Sequence, residues 1–183
     1  MRKTLTFHIC ATVLLVLTSA MSVWAKGVGP AANNPVPAQA PQVNNVAQTA
    51  MQQGVQACAG RINQVSSFLG FGPDAGALLM VPPNGQDQRL VSLAMELRTP
   101  AGPAYASASF APNQVNGCGA SYDAVVFWRN ACDAVAASQF GTLKKVGLLK
   151  QAIAVLDGGP ATKVFLMPAG RGCVSIKKEV VIQ

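Results

Sequence analysis

The spacing of apolar residues between positions 45 and 69 predicts a helix. In this segment apolar residues recur at alternating intervals of four and three, which places them on one stripe of a helix. The residues of this stripe are Met51, Val55, Cys58, Ile62, Val65 and Leu69. Two glycines and a proline between Gly70 and Pro73 end the pattern. We therefore predict one helix over residues 45–69 that packs on a sheet and directs Cys58 into the core.

Beyond Pro73 the pattern changes to short apolar runs separated by turn residues. The run over residues 90–98 alternates between apolar and mostly polar positions, which is the period of a half-buried strand. Glycine-containing turns near Gly158 and Gly170 are typical of hairpins. The seven predicted strands are Ala77–Val81, Leu90–Arg98, Tyr105–Phe110, Tyr122–Trp128, Val146–Leu156, Lys163–Met167 and Cys173–Ile182. Strands joined by such short turns predict an antiparallel meander.

A second, shorter helix is predicted between the fourth and fifth strands. Asn130 suits the N-cap, and Asp133 lies in the first turn, where a carboxylate is favoured by the helix dipole. Its apolar face consists of Cys132, Val135, Ala136 and Phe140. The fold class predicted is α+β: an antiparallel, meander-like sheet of about seven strands with an N-terminal and a shorter second helix packed on it. The dipeptides Ala57–Cys58 and Ala131–Cys132 each open a helix, and we interpret this likeness as chance.

The N-terminal segment has the features of a secretory signal peptide. Arg2 and Lys3 precede a short apolar run over residues 9–17, and a segment with small residues ends at Ala25. The run is shorter than the ~20 residues that span a membrane, which favours a cleaved signal over residues 1–25. The alternative is an uncleaved signal anchor. No transmembrane helix is expected after cleavage.

Amino-acid composition divides the chain after residue 25 into two segments. Residues 26–44 are rich in proline, alanine, asparagine and glutamine, with one charge at Lys26. Such a segment buries too little apolar surface to offset the entropy of ordering it, so a flexible leader is predicted. Residues 45–183 are predicted to form a single α+β domain.

Cysteine usage predicts two disulfides. Cleavage removes Cys10, one of five cysteines, and leaves an even set in an exported chain. A bond between Cys118 and Cys132 is disfavoured, because the strand between them spans ~20 Å, whereas bridged Cα atoms lie within about 7 Å. Cys58 and Cys132 both face inward from helices, while Cys118 and Cys173 both follow a glycine at the start of a strand. We therefore favour Cys58 with Cys132 and Cys118 with Cys173.

The residue types left after cleavage exclude several kinds of catalytic site. His8 is the single histidine and is removed, so Ser-His-Asp, Cys-His and the usual zinc sites are excluded. We predict no catalytic residue, no cofactor and no metal. A pair of carboxylates remains an alternative, since glycoside hydrolysis needs only two. Glu96, Asp123 and Glu179 lie on predicted strands, where solvation of an exposed face is the simpler interpretation.

Basic residues are concentrated in the last third of the chain. Loss of Arg2 and Lys3 lowers the formal charge from +7 to +5. If the last strands are adjacent, some of these residues share an outer face and attract an anionic partner. The candidates for this face are Lys144, Lys145, Lys150, Lys163, Arg171, Lys177 and Lys178. Aromatic residues for stacking are few, so no nucleic-acid partner is expected.

Together these features predict an exported protein, periplasmic or secreted, that acts by binding. We expect a non-enzymatic accessory or inhibitor-like protein whose macromolecular partner is an anionic envelope component or another exported protein. One alternative is a histidine-independent carboxylate enzyme acting on cell-envelope glycans. The other is a structural subunit of an envelope assembly. A flat apolar or basic patch favours the binder, two facing carboxylates favour the enzyme, and unpaired self-complementary strand edges favour the subunit.

Overall fold

The computed structural model describes residues 42–182. The predicted signal peptide and the predicted leader up to residue 41 lie outside these residues. The helices are α1 (Asn45–Gln52), α2 (Ala59–Phe68) and α3 (Cys132–Gln139), with a single 3-10 turn at Gln86–Gln88. The strands are β1 (Gly76–Met80), β2 (Val91–Thr99), β3 (Gly102–Asn113), β4 (Gly117–Trp128), β5 (Lys144–Leu148), β6 (Ala154–Asp157), β7 (Thr162–Ala169) and β8 (Gly172–Val181). The predicted α+β class is confirmed, with eight strands in place of about seven.

All eight strands form one antiparallel sheet in the order β1-β2-β3-β4-β8-β7-β6-β5. The predicted single meander is therefore replaced by two meanders of four strands that meet where β4 pairs with β8. The chain leaves β4 through α3 and reaches the far edge at β5, and the later strands then return toward β4. The last and fourth strands thus lie side by side at the centre of the sheet.

The two halves of the sheet are structural repeats. The first repeat is α2 followed by β1–β4, and the second is α3 followed by β5–β8. In each repeat a disulfide links the start of the helix to the start of the last strand. Pro112 and Pro168 also occupy equivalent places, opposite Cys118 and Cys173. Ala57–Cys58 and Ala131–Cys132, whose likeness we interpreted as chance, occupy equivalent places at the start of α2 and of α3.

The presence of two disulfides is confirmed, but the favoured pairing is wrong. Cys58 bonds to Cys118 with a Cα–Cα distance of 5.1 Å, and Cys132 bonds to Cys173 with a Cα–Cα distance of 4.9 Å. Cys58 and Cys132 do not meet because α2 and α3 cover different halves of the sheet and contribute to separate cores. Each helix begins over the last strand of its own repeat, and that strand supplies the partner cysteine.

The predicted helix over residues 45–69 is two helices. The break lies at Gly54, whose φ of 87° is disfavoured for residues with a side chain. Asn44 joins the two pieces: its side-chain oxygen accepts a hydrogen bond from the Ala47 backbone nitrogen at 3.1 Å, and its side-chain nitrogen donates to Ser66 Oγ at 2.8 Å. The predicted strand over residues 146–156 is likewise two strands, β5 and β6, and the N-cap of α3 is Ala131 and not Asn130.

All three helices pack on the same face of the sheet. The larger core lies between α1, α2 and strands β2–β4 and includes Ile62, Leu93 and Phe110. The smaller core lies under α3 and includes Val135 and Leu166. The strand registers place the buried residues of both cores on this one face, here called the helix face. No described helix packs on the opposite face of the sheet, here called the helix-free face. Among the described residues, no helix is long and apolar enough to cross a membrane.

Candidate functional site

A row of apolar side chains crosses the helix-free face. Tyr105 lies opposite Val125, Val125 opposite Ile176, Ile176 opposite Phe165, and Phe165 opposite Val155. Residues directly opposite each other point to the same side of a sheet, so these five side chains form one continuous line across five strands. Tyr105 is 51% exposed, and the other four are partly exposed. The row therefore presents apolar surface to solvent.

A second apolar row runs beside the first. Phe127 lies opposite Val174, and Val174 lies opposite Met167. A Cβ atom placed on Gly172 would lie 2.7 Å from the Phe127 ring, so glycine at this position leaves room for the ring. Phe127 remains 51% exposed. The two rows form the apolar patch: Tyr105, Val125, Phe127, Val155, Phe165, Met167, Val174 and Ile176.

A charged row borders the apolar patch on the same face. The registers align Asp123, Lys178, Lys163, Asp157 and Lys144 across neighbouring strands. Lys178 pairs with Asp123 at 3.0 Å, and Lys163 pairs with Asp157 at 2.8 Å. Hydrogen bonds from Lys163 and from the Gly159 backbone lower the pKa of Asp157 below its ordinary value. The charges in this row are therefore largely paired with one another.

The sheet brings together three of the seven predicted basic residues. Lys144, Lys163 and Lys178 share the helix-free face, each in register with an aspartate. Lys145 and Lys177 point to the helix face, where they pair with Asp133 and Glu179. Lys150 and Arg171 lie in hairpin loops. A shared outer face of seven cations does not form, and attraction of an anionic partner stays a prediction.

The apolar patch was not predicted from the sequence, although the sequence carries a signal for it. The segments containing β4 and β7 have apolar residues at consecutive positions, as in Val164, Phe165 and Leu166. A strand buried on one face alternates, whereas a strand that is apolar on both faces does not. Consecutive apolar residues therefore indicated that both faces of these strands are apolar.

The three candidate carboxylates do not face one another. Tyr122 is opposite Glu179 and Asp123 is opposite Lys178, so Asp123 and Glu179 point to opposite faces of the sheet. Glu96 shares the helix-free face with Asp123, but β3 lies between their strands. Among residues 42–182 no group of histidine, cysteine and acidic side chains is placed to hold a metal ion.

On the helix face, a compact polar cluster lies where the two repeats meet. Tyr122 donates a hydrogen bond to Glu179 Oε2 at 2.9 Å, and Lys177 Nζ donates to the Tyr122 hydroxyl at 2.8 Å and to Glu179 Oε2 at 2.8 Å. The ammonium group also lies 5.4 Å from the ring centroids of both Phe68 and Tyr122. A cleft of about 520 Å³ opens beside this cluster, with Val65 on its wall.

The protonation states of this cluster are fixed at neutral pH. Burial raises the pKa of Tyr122 above its ordinary 10.0, aided by the Glu179 carboxylate and opposed by Lys177. Burial alone favours neutral forms of Lys177 and Glu179, but their mutual hydrogen bonds and those with Tyr122 outweigh it. The pKa of Lys177 is therefore raised above 10.5 and that of Glu179 lowered below 4.5. A charged lysine, an ionised glutamate and a neutral phenol link the repeats without providing a base that titrates near neutral pH.

We predict that Glu179→Gln lowers the free energy of unfolding by about 1–3 kcal/mol near neutral pH, because Lys177 loses its carboxylate partner in a partly buried site. A carboxyl whose pKa is lowered on folding stabilises the protein above its unfolded pKa, and this contribution is lost as the pH falls through the folded value. Urea unfolding near neutral pH and at pH ~3 measures the effect. The wild type and the variant should converge in acid.

Glu96→Gln is the matched control, since Glu96 is an exposed carboxylate on the opposite face. It should change the unfolding free energy little at either pH. A difference between Glu179→Gln and wild type that stays the same in acid would contradict the role assigned to this cluster.

Comparisons of this chain with protein-family models, with curated proteins and with solved structures found no match.

Proposed function

We propose that this protein is an exported, non-enzymatic binding protein that recognises another exported protein through the apolar patch. The observation that carries this proposal is the pair of adjacent apolar rows on a sheet face that no described helix covers. Exposed contiguous apolar surface rimmed by polar residues is typical of protein interaction sites. The two disulfides support an oxidising compartment, which is where such a partner would be met.

The composition of the patch resembles the centre of a protein interface. Aromatic residues and methionine are enriched at interface cores, and Tyr105, Phe127, Phe165 and Met167 are such residues. The rim of the patch is charged. The charged row borders one side of it. At the β2 side, Arg98 points to the same face, because it lies two residues beyond Glu96 on that strand. Arginine is also enriched at interfaces.

The patch fits a protein partner better than an anionic polysaccharide or a lipid head group. Recognition of a polar or anionic ligand needs donors that are free to bind it. In the apolar patch the Tyr105 hydroxyl is the one side-chain donor, and two of the three lysines of the charged row, Lys163 and Lys178, are engaged by Asp157 and Asp123. An apolar protein surface needs no such donors and gains from the removal of this area from water.

Site-specific photocrosslinking in the native host tests the proposal. A benzophenone amino acid at position 105 or 165 of the full-length protein should yield the same discrete crosslinked partner. Val115, which is 95% exposed in the β3–β4 hairpin, is the control position and should yield no such product.

The partner identified in this way is then tested with purified proteins. Tyr105→Lys should weaken binding by at least about tenfold, since an apolar contact at the centre of an interface is lost and a charge is desolvated. Val115→Lys should leave binding unchanged. Equal weakening by both variants, or equal crosslinking at all three positions, would refute recognition through the apolar patch.

A further inference from the structure

The two edges of the sheet differ in a way that bears on assembly. At one edge, β5 carries Lys144 and Lys145 and shifts register between Lys145 and Gly147. Lysines and register irregularities at an edge oppose pairing with another strand. At the other edge, β1 consists of Gly76, Ala77, Leu78, Leu79 and Met80, with no charge, no proline and no register shift. The edge at β1 therefore lacks the lysines and the register irregularity that oppose strand addition at β5.

The β1 edge is also accessible. No described strand lies beyond β1 in the sheet. Leu78 is 64% exposed and Met80 is 49% exposed, although both are large apolar residues. Both point to the helix-free face, because Leu78 lies opposite Ala94 and Met80 opposite Ser92. Unpaired backbone groups and exposed apolar side chains thus occur together on one short strand, as expected of a strand that pairs with another chain.

We propose that β1 pairs antiparallel with β1 of a second copy of this chain, about a two-fold axis perpendicular to the sheet. Such an interface is isologous, so the strand must be complementary to itself. An uncharged apolar strand meets this condition, since no like charges face each other across the axis. Within the chain, β4 and β8 already join the two repeats by antiparallel pairing. The proposed contact repeats that arrangement between two chains.

The distribution of charge favours a second copy at β1 and opposes one at β5. Residues 42–128 contain three basic and four acidic residues, whereas residues 129–182 contain eight basic and three acidic residues. Pairing through β1 brings together two nearly neutral repeats and leaves the basic repeats at the far ends of the joined sheet. Pairing through β5 would bring two basic repeats together within a Debye length, about 8 Å at physiological salt.

The pairing has a consequence for binding. A two-fold axis perpendicular to the sheet keeps the helix-free faces of both copies on the same side, so a dimer presents two apolar patches on one surface. Two linked sites raise the apparent affinity for a repetitive or dimeric partner. This consequence rests on the proposed function, whereas the pairing itself does not.

Sedimentation velocity of the oxidised mature protein tests the pairing, with dimers expected at micromolar concentrations. Leu78→Lys places two like charges near the axis and should increase the dissociation constant at least about thirtyfold, equivalent to ~2 kcal/mol. Because Leu78 is largely exposed, the substitution leaves the core intact, which circular dichroism verifies. Leu148→Lys is the matched control on β5, where the residue is 50% exposed, and should leave the dimer unchanged.

Single cysteines at positions 77, 78 and 79 give an independent readout. Antiparallel self-pairing sets one residue opposite its own copy with Cα atoms about 4.5–5.5 Å apart, which is within the range of a disulfide. One of the three should form a covalent dimer on oxidation, and a cysteine at position 148 should not. A monomeric wild type, or a dimer that survives Leu78→Lys, would overturn the pairing. Either result leaves crosslinking at positions 105 and 165 to be judged separately, so failure of the pairing is distinguishable from failure of the proposed function.

Discussion

Replacing Cys132 and Cys173 together with alanine should open the second repeat while the first repeat stays folded. The bond between them closes a separation of 41 residues, and the chain-entropy model gives about 4 kcal/mol for a loop of this size. The core under α3 is small, with six buried residues, whereas the core between α1, α2 and strands β2–β4 has eighteen. Without the disulfide, the smaller core has little buried area to offset the ordering of α3 and β5–β7. Amide hydrogen exchange measures the outcome as lost protection in those elements.

The double variant Cys58→Ala with Cys118→Ala is the control. It removes a bond of similar loop size, with a separation of 60 residues, but from the repeat with the larger core. We expect its urea midpoint to fall while unfolding stays one cooperative transition. Uniform loss of amide protection across all eight strands in both variants would contradict the idea that the repeats differ in their local stability.

Local patterns predicted the elements well where one face is buried and the other is solvated. The alternation in residues 90–98 corresponds to β2, because Val91, Leu93, Met95 and Leu97 enter the core while their neighbours do not. The same periodicity failed at Gly54, where the apolar spacing continues through a break that depends on a left-handed backbone. The spacing of apolar residues shows which face of a helix a residue occupies. It does not show where one helix ends and the chain turns back into the next.

Pairing across the sheet could not be predicted from the same patterns. Periodicity correctly directed Cys58 into the core, but the disulfide partner depends on which helix lies over which strand. That arrangement is set by the course of the chain, which leaves β4 through α3 and continues to the far edge of the sheet. The apolar patch has the same origin, since Tyr105, Val125 and Phe165 become neighbours only through the strand order. Sequence separations this large carry no local signal of contact.

Phe110→Ala should lower the free energy of unfolding by about 3–5 kcal/mol, the cost of removing a large aromatic side chain from a packed core. Phe110 is fully buried on the helix face of β3, and Leu166 is its counterpart in the second repeat: each lies opposite the residue two positions beyond the cysteine of the next strand. Because equivalent positions hold phenylalanine in one repeat and leucine in the other, Phe110→Leu should cost less than Phe110→Ala. Urea unfolding near neutral pH measures both losses.

Phe127→Ala is the matched comparison, and it separates the core from the apolar patch. Both residues are phenylalanines on adjacent central strands of one sheet, but Phe127 lies on the helix-free face and is half exposed. Because half of this side chain is already exposed, we expect its removal to cost about 1 kcal/mol, near the centre of the range for single substitutions. An equal loss from Phe127→Ala and Phe110→Ala would mean that the patch serves the stability of the fold. A small loss at Phe127 combined with weakened partner binding would mean that this side chain is exposed for recognition.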